Sequence, residues 1–118
     1  MVKFICYHKC TTCQKAQKWL DDNKIEYELR DIKLDNPTLA ELTEWHKKSG
    51  FPLKKFFNTS GLLYKSLDLK NKLPTMSEDE MLKLLATDGM LVKRPLLVGE
   101  DFVFVGFKEA EWSATLGK

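Results

Sequence analysis

The stretch that most narrows what this chain can fold into is residues 2–20, where an apolar run meets a helical repeat across a pair of cysteines. Val2 to Tyr7 is apolar, β-branched or aromatic apart from Lys3, with no clean two-residue alternation, which predicts a strand covered on both faces. The strand is expected to end at His8-Lys9. From Thr11 onward Cys13, Ala16, Trp19 and Leu20 recur at helical spacing while Gln14, Lys15, Gln17 and Lys18 fill the other side, so a helix follows at once, with Asn23 as its stop. Ile25 to Ile32 then alternates, with Ile25, Tyr27 and Leu29 set against Glu26, Glu28 and Arg30, the period of a strand with one buried face. A parallel strand–helix–strand start brings the beginning of the helix to the carboxyl end of the first strand. Cys10 and Cys13 fall at that junction.

The middle of the chain reads as helical. Asn36-Pro37-Thr38 is a helix start, since Pro suits the first turn and Thr38 with Glu41 has capping-box spacing. Leu39, Leu42 and Trp45 supply the apolar stripe and Gly50 the stop. Leu53, Phe56 and Phe57 continue in short helical steps to Asn58, Leu63, Tyr64 and Leu67 suggest another short helix, and Ser77 with Glu80 opens a further one that ends near Asp88-Gly89. Arg94-Pro95 then introduces Leu96-Leu97-Val98, Gly99-Glu100-Asp101 forms a turn, and Phe102 to Val105 returns as the second arm of a hairpin. A helix from about Lys108 to Leu116 closes the chain. The pattern predicts an α/β domain on a small mixed sheet, with one domain spanning residues 1–118.

Composition excludes several classes. In 118 residues, 43% are hydrophobic, including seven Phe and three Trp, enough for a real core. Lys and Arg total 19 against 17 Asp and Glu, for a net charge of +2, and no basic run is interleaved with aromatics, so direct nucleic-acid binding is not expected. The longest apolar runs, such as Pro95 to Val98, fall far short of the roughly 18 residues a spanning helix needs. With an N-terminus too short and polar for a signal segment, the expectation is a soluble cytoplasmic monomer without membrane contact.

All three cysteines lie in the first thirteen positions, whereas a secreted disulfide scaffold would spread an even number along the chain. They look like chemistry. A thiol attacks only as the thiolate, so a working site must favour the anion over the free thiol, whose pKa is roughly 8.5. Cys10 sits at the expected N-cap of the first helix, where unpaired N–H groups and the positive end of the macrodipole do so. His8 and Lys9 can add positive potential. Residues three apart on a helix face are roughly 5–6 Å apart, within disulfide reach, so Cys10 can attack and Cys13 resolve. The expected asymmetry is an exposed, acidic Cys10 and a more buried, ordinary Cys13. Two alternatives stay open: inert core cysteines, or a zinc site drawn from Cys6, His8, Cys10 and Cys13, although no second ligand pair follows further along. Cys6, inside the apolar run, reads as core packing. His46 reads as a polar-face residue. Arg94 can hold an oxyanion or steady the Cys10 thiolate, and Pro95, opening a strand that faces the cysteine turn, is a candidate cis proline.

Tyr7-His8-Lys9-Cys10-Thr11-Thr12-Cys13-Gln14-Lys15-Ala16 with Trp19-Leu20, Phe57-Asn58-Thr59-Ser60-Gly61, Asp88 to Pro95 and Val105-Gly106-Phe107 together resemble the arsenate reductase (ArsC)-like family, in its Spx/YffB-type branch. The resemblance covers about residues 3 to 112. It implies a thioredoxin-like fold, a mixed four-stranded sheet whose βαβ and ββα halves are separated by an all-helical insertion at about 37–90, and a cis Pro95 facing Cys10. It implies Cys10, Cys13 and Arg94 as catalytic residues and Lys9, Thr11, Thr12 and Pro95 as substrate contacts. No bound cofactor or metal is implied, with glutathione, glutaredoxin or thioredoxin as electron donor and a disulfide substrate or glutathione as partner.

The family includes arsenate reductases, thiol reductases and Spx-type regulators that bind the RNA polymerase α-subunit. Its arsenate reductases use one cysteine and three arginines. Here only Arg94 matches, the other two positions falling near Asn58 and Gly106. Gly50 falls close to a glycine that Spx uses against the polymerase. The arginine of Spx in the Asn58 to Gly61 segment, and its longer C-terminal tail, have no counterpart here. These departures favour a thiol–disulfide oxidoreductase over the regulator and the arsenate reductase.

Overall fold

The apolar run at the N-terminus forms strand β1 (Val2–Cys6) of the computed structural model, which describes residues 1–118. It pairs in parallel with β2 (Tyr27–Asp31), Phe4 opposite Leu29, and antiparallel with β3 (Leu96–Val98), Phe4 opposite Leu97. Strand β4 (Val103–Val105) adds antiparallel to β3, giving the order β2-β1-β3-β4. The expected mixed four-stranded sheet is thus present, with β1 in its interior.

Alternation along β1 divides the core in two. Phe4 and Cys6 point to one side, where α1 (Thr11–Asp22) supplies Cys13, Ala16 and Leu20 and α6 (Glu109–Leu116) supplies Trp112. Ile5 points to the other, joined by Leu96, Val98 and the apolar stripes of the central helices. Those are α2 (Leu39–Ser49), α3 (Leu62–Ser66), α4 (Leu69–Lys72) and α5 (Glu78–Leu85). Both capping boxes form. Thr38 Oγ1 accepts the Glu41 amide at 3.2 Å while Glu41 Oε1 accepts the Thr38 amide at 3.0 Å, and Ser77 with Glu80 repeats the pattern. Gly50 ends α2 in the left-handed region at φ 70°, where a side chain would be strained. No helix is long and apolar enough to cross a membrane.

Three details differ from the sequence reading. Phe57, read as continuing a helical run, is extended and bridges to Val92, with the Asn58 and Lys93 amides donating to the Leu91 and Phe56 carbonyls at 2.8 Å. The central segment is therefore not wholly helical, because this bridge ties its middle to the stretch just before β3. Leu29, assigned to a buried face, is 57% exposed, since β2 is a sheet edge with a neighbour on one side only. His46 is half-buried rather than on an open polar face: its ring packs edge-on against Phe56 at 6.0 Å and its Nε2 lies 3.7 Å from Glu78.

One ion pair fastens the edge strand to the helical layer. Arg30 of β2 donates through Nη1 and Nη2 to the two carboxylate oxygens of Glu41 at 2.6 and 2.8 Å, and through Nε to the Asp35 carbonyl at 2.9 Å. The same Glu41 completes the α2 capping box, so one carboxylate both starts the helix and ties it to the sheet. The Arg30 fork, followed by the Thr38 amide, holds the Glu41 carboxyl at about 2, below the ordinary glutamate range. A depressed carboxyl stabilises the fold above its ordinary pKa, and that contribution fades as the pH falls from about 5 toward 2. Arg30→Met is expected to cost about 2–3 kcal/mol in chemical denaturation at neutral pH. Glu41→Gln should flatten the acid limb of stability between pH 5 and 2.

Candidate active site

The turn between β1 and α1 is closed by the Cys10 amide donating to the Tyr7 carbonyl at 2.9 Å. Cys10 is the N-cap of α1, with φ −88° and ψ 122°, and no side-chain hydrogen bond caps the helix. The amides of the first turn thus have no side-chain acceptor, and Cys10 sits at the positive end of the helix dipole. Gln14 Nε2 reaches back to the His8 carbonyl at 2.9 Å and steadies the turn. The His8 ring turns toward Asp31, its Nδ1 lying 3.7 Å from the carboxylate. The Leu34 amide, together with that of Lys33, holds the Asp31 carboxyl below its usual range.

Cys13 lies behind Cys10 at 1% exposure, and its Sγ accepts the Tyr7 amide at 3.4 Å. Cys6 is buried in the same cluster as Cys13, and Cys10 packs against that cluster. The contact with Cys6, reinforced by burial, pushes the Cys13 thiol well above the ordinary range, so it is not the ordinary thiol that spacing suggested. The same contact draws Cys6 down. All three cysteines are free.

Across from the turn the Arg94–Pro95 peptide is cis. Pro95 itself is buried, its carbonyl accepting the Gly106 amide at 2.8 Å. The Arg94 guanidinium lies 5.3 Å from the centre of the Tyr7 ring, an arrangement generally worth about 0.5–2 kcal/mol. Its Nε and Nη1 are buried and have no hydrogen-bond partner within the protein. Buried donors of this kind are costly unless an acceptor reaches them, which makes Arg94 a ready anion holder.

Cys10, Thr12 and Arg94 meet around a cleft of about 770 Å³. Its other wall comes from the central segment: Asn58, Ser60, Gly61, Leu62, Leu63, Ser66, Asp88 and Met90, with Lys93 beside Arg94. Lys9 and Thr11 are exposed outside the cleft, and Cys13 and Pro95 are buried beneath it. Asn58 is marked by the sequence only as the place of a missing arginine, and Ser60, Asp88 and Lys93 have no individual role there. They lie in the Phe57–Gly61 and Asp88–Pro95 motifs, but as residue types they are ordinary turn formers and a surface lysine. Gly89 explains why the wall sits where it does: a Cβ there would lie 1.7 Å from the Ile32 carbonyl oxygen, so only glycine lets this segment close onto the end of β2.

A mixed sheet with a cysteine pair at the first strand–helix junction and a cis proline opening β3 defines a thioredoxin-like α/β protein. The ArsC family model matches residues 6–115, and the chain belongs to that family. It is 52% identical over 109 residues to the uncharacterized protein YusI of Bacillus subtilis, covering 92% of each chain. A crystal structure of a protein described as ArsC family related, from Bacteroides fragilis, superposes with a TM-score of 0.94 at 59% identity, covering 96% of this chain and 95% of that one. Global transcriptional regulator Spx 1 of Bacillus cereus is 26% identical over 111 residues, 94% of this chain and 83% of Spx 1.

Proposed function

We propose that this protein is a thiol–disulfide oxidoreductase in which Cys10 is the attacking thiol, Cys13 the resolving thiol and Arg94 the anchor for an anionic group of the substrate. The observation that carries this reading is the placement of the two cysteines: Cys10 lines the cleft, and Cys13 lies buried in the cluster against which Cys10 packs. The Cys10 thiolate attacks one sulfur of a substrate disulfide and expels the other half as a thiolate, leaving a mixed disulfide. Cys13 then loses its proton and attacks Cys10 Sγ, which releases the second half as a thiolate and leaves a Cys10–Cys13 disulfide. A dithiol donor of the thioredoxin type, or two glutathione molecules, returns both cysteines to thiols. The Tyr7 amide on Cys13 Sγ offers a donor to the negative charge that forms there. Arg94, with Lys93 adjoining, suits a substrate carrying a carboxylate near its disulfide, as glutathione does.

Arsenate is a weaker fit. The chain has only two arginines, and Arg30 is committed to Glu41 between β2 and α2. The positions expected to hold the other two clamps carry Asn58, which lines the cleft, and Gly106, which is buried. Each missing charge-assisted contact is worth about 1.5–3 kcal/mol. A second reading, a redox-switched regulator acting through the RNA polymerase α-subunit, is supported by the relationship to Spx 1 and by Gly50, exposed at the end of α2 with open space around it. Direct binding of the oxidised and reduced chain to that subunit tests it: affinity in one redox state favours the regulator, and none in either removes it.

The oxidoreductase reading makes a direct expectation. Cys13→Ser should accumulate mixed disulfides through Cys10 in cells, identifiable by mass spectrometry, and Cys10→Ser should show none. Absence of any protein or glutathione adduct on Cys10 of the Cys13→Ser chain would contradict it.

A further inference from the structure

Cys6 has no part in the two-thiol scheme, yet its position is not that of a packing residue alone. It is the last residue of β1, 6% exposed, and it points to the same side of the sheet as Phe4, into the cluster that holds Cys13. The Tyr7 amide, next in the chain, donates to Cys13 Sγ at 3.4 Å, which seats that sulfur over the Cys6–Tyr7 peptide. Cys6 and Cys13 are buried in one cluster, and Cys10, which lines the cleft, packs against that cluster, so the three cysteines are gathered at one place between the cleft and the core.

We propose that Cys6 is a third redox-active thiol, which exchanges with the Cys10–Cys13 disulfide to form Cys6–Cys13 and returns Cys10 to a free thiol. The step rests on the Cys10–Cys13 disulfide of the preceding section and needs no further oxidant. Cys6 gives up its proton to solvent and attacks Cys13 Sγ. A Cys6–Cys13 bond forms, the Cys10–Cys13 bond breaks, the electron pair leaves on Cys10, and Cys10 takes up a proton. One disulfide and one thiol are present before and after. The oxidised chain then stores its disulfide in the core and still presents a reactive Cys10 to the cleft, ready to take a low-molecular-weight thiol as a mixed disulfide.

The positions of the lysines make this measurable. Trypsin cleaves after Lys3, Lys9 and Lys15, so Cys6 falls in the peptide 4–9 while Cys10 and Cys13 share the peptide 10–15. The full chain is reduced, oxidised with diamide, quenched in acid, alkylated under denaturing conditions and digested. The expected product is peptide 4–9 joined to peptide 10–15 through Cys13 with Cys10 alkylated, alongside peptide 10–15 carrying its internal disulfide. In Cys6→Ala, alkylation of Cys10 in the oxidised chain should disappear. The wild-type result stands by itself should that variant fail to fold. Internal disulfide alone, with Cys6 fully alkylated, overturns the relay and leaves the two-thiol reading intact. A Cys6–Cys10 link overturns it by removing Cys13 from the middle, and no disulfide in any peptide overturns both readings.

Discussion

The structure depends on β1 being an interior strand. With hydrogen-bonded neighbours on both sides, its side chains have nowhere to go but into the two faces, and Phe4 and Ile5 are fully buried there. That constraint fixes the direction of α1, because the chain leaving β1 must turn back over the face that Phe4 and Cys6 occupy. It fixes the opposing wall as well, because β3 pairs with β1 and so carries Arg94 and Pro95 to the same end of the sheet as the Cys10 turn. The cleft is a by-product of strand order. Its chemistry is local to one helix N-terminus and one half-buried guanidinium.

How far this was visible in the sequence differs from element to element. The strand–helix–strand start, both capping boxes, the Gly50 stop and the hairpin were legible because each is set by residues within a few positions of one another. The Phe57–Val92 bridge was not, since it joins residues 35 apart that carry no local strand period. The end of α1 was only partly legible. Asn23 stops the helix as expected, its Nδ2 donating to the Trp19 carbonyl at 2.8 Å, but Lys24 adopts φ 56°, a conformation lysine does not advertise.

The candidate site divides in the same way. Cys10 and Cys13 stand out by spacing and position. Arg94 gains weight only beside Pro95, and its two buried, unpartnered donors are a property of packing that no pattern displays. Lys93, Asn58, Ser60 and Asp88 join the cleft because Gly89 lets their segment close against Ile32, a steric fact rather than a chemical one. Cys6 was read as core, and it is core. What the sequence could not convey is that the sulfur above it belongs to Cys13, so that burial and reactivity coincide at one residue.

The central claim is that three neighbouring sulfurs are unequal, with Cys10 open to the cleft and Cys13 and Cys6 screened behind it. Site-resolved alkylation of the reduced native chain by iodoacetamide at neutral pH, read by mass spectrometry of the peptides carrying each cysteine, tests it most directly. Cys10 should be modified first and Cys6 and Cys13 only on unfolding. Modification of Cys6 or Cys13 as fast as Cys10 in the folded chain would contradict the order of the sulfurs on which the mechanism rests.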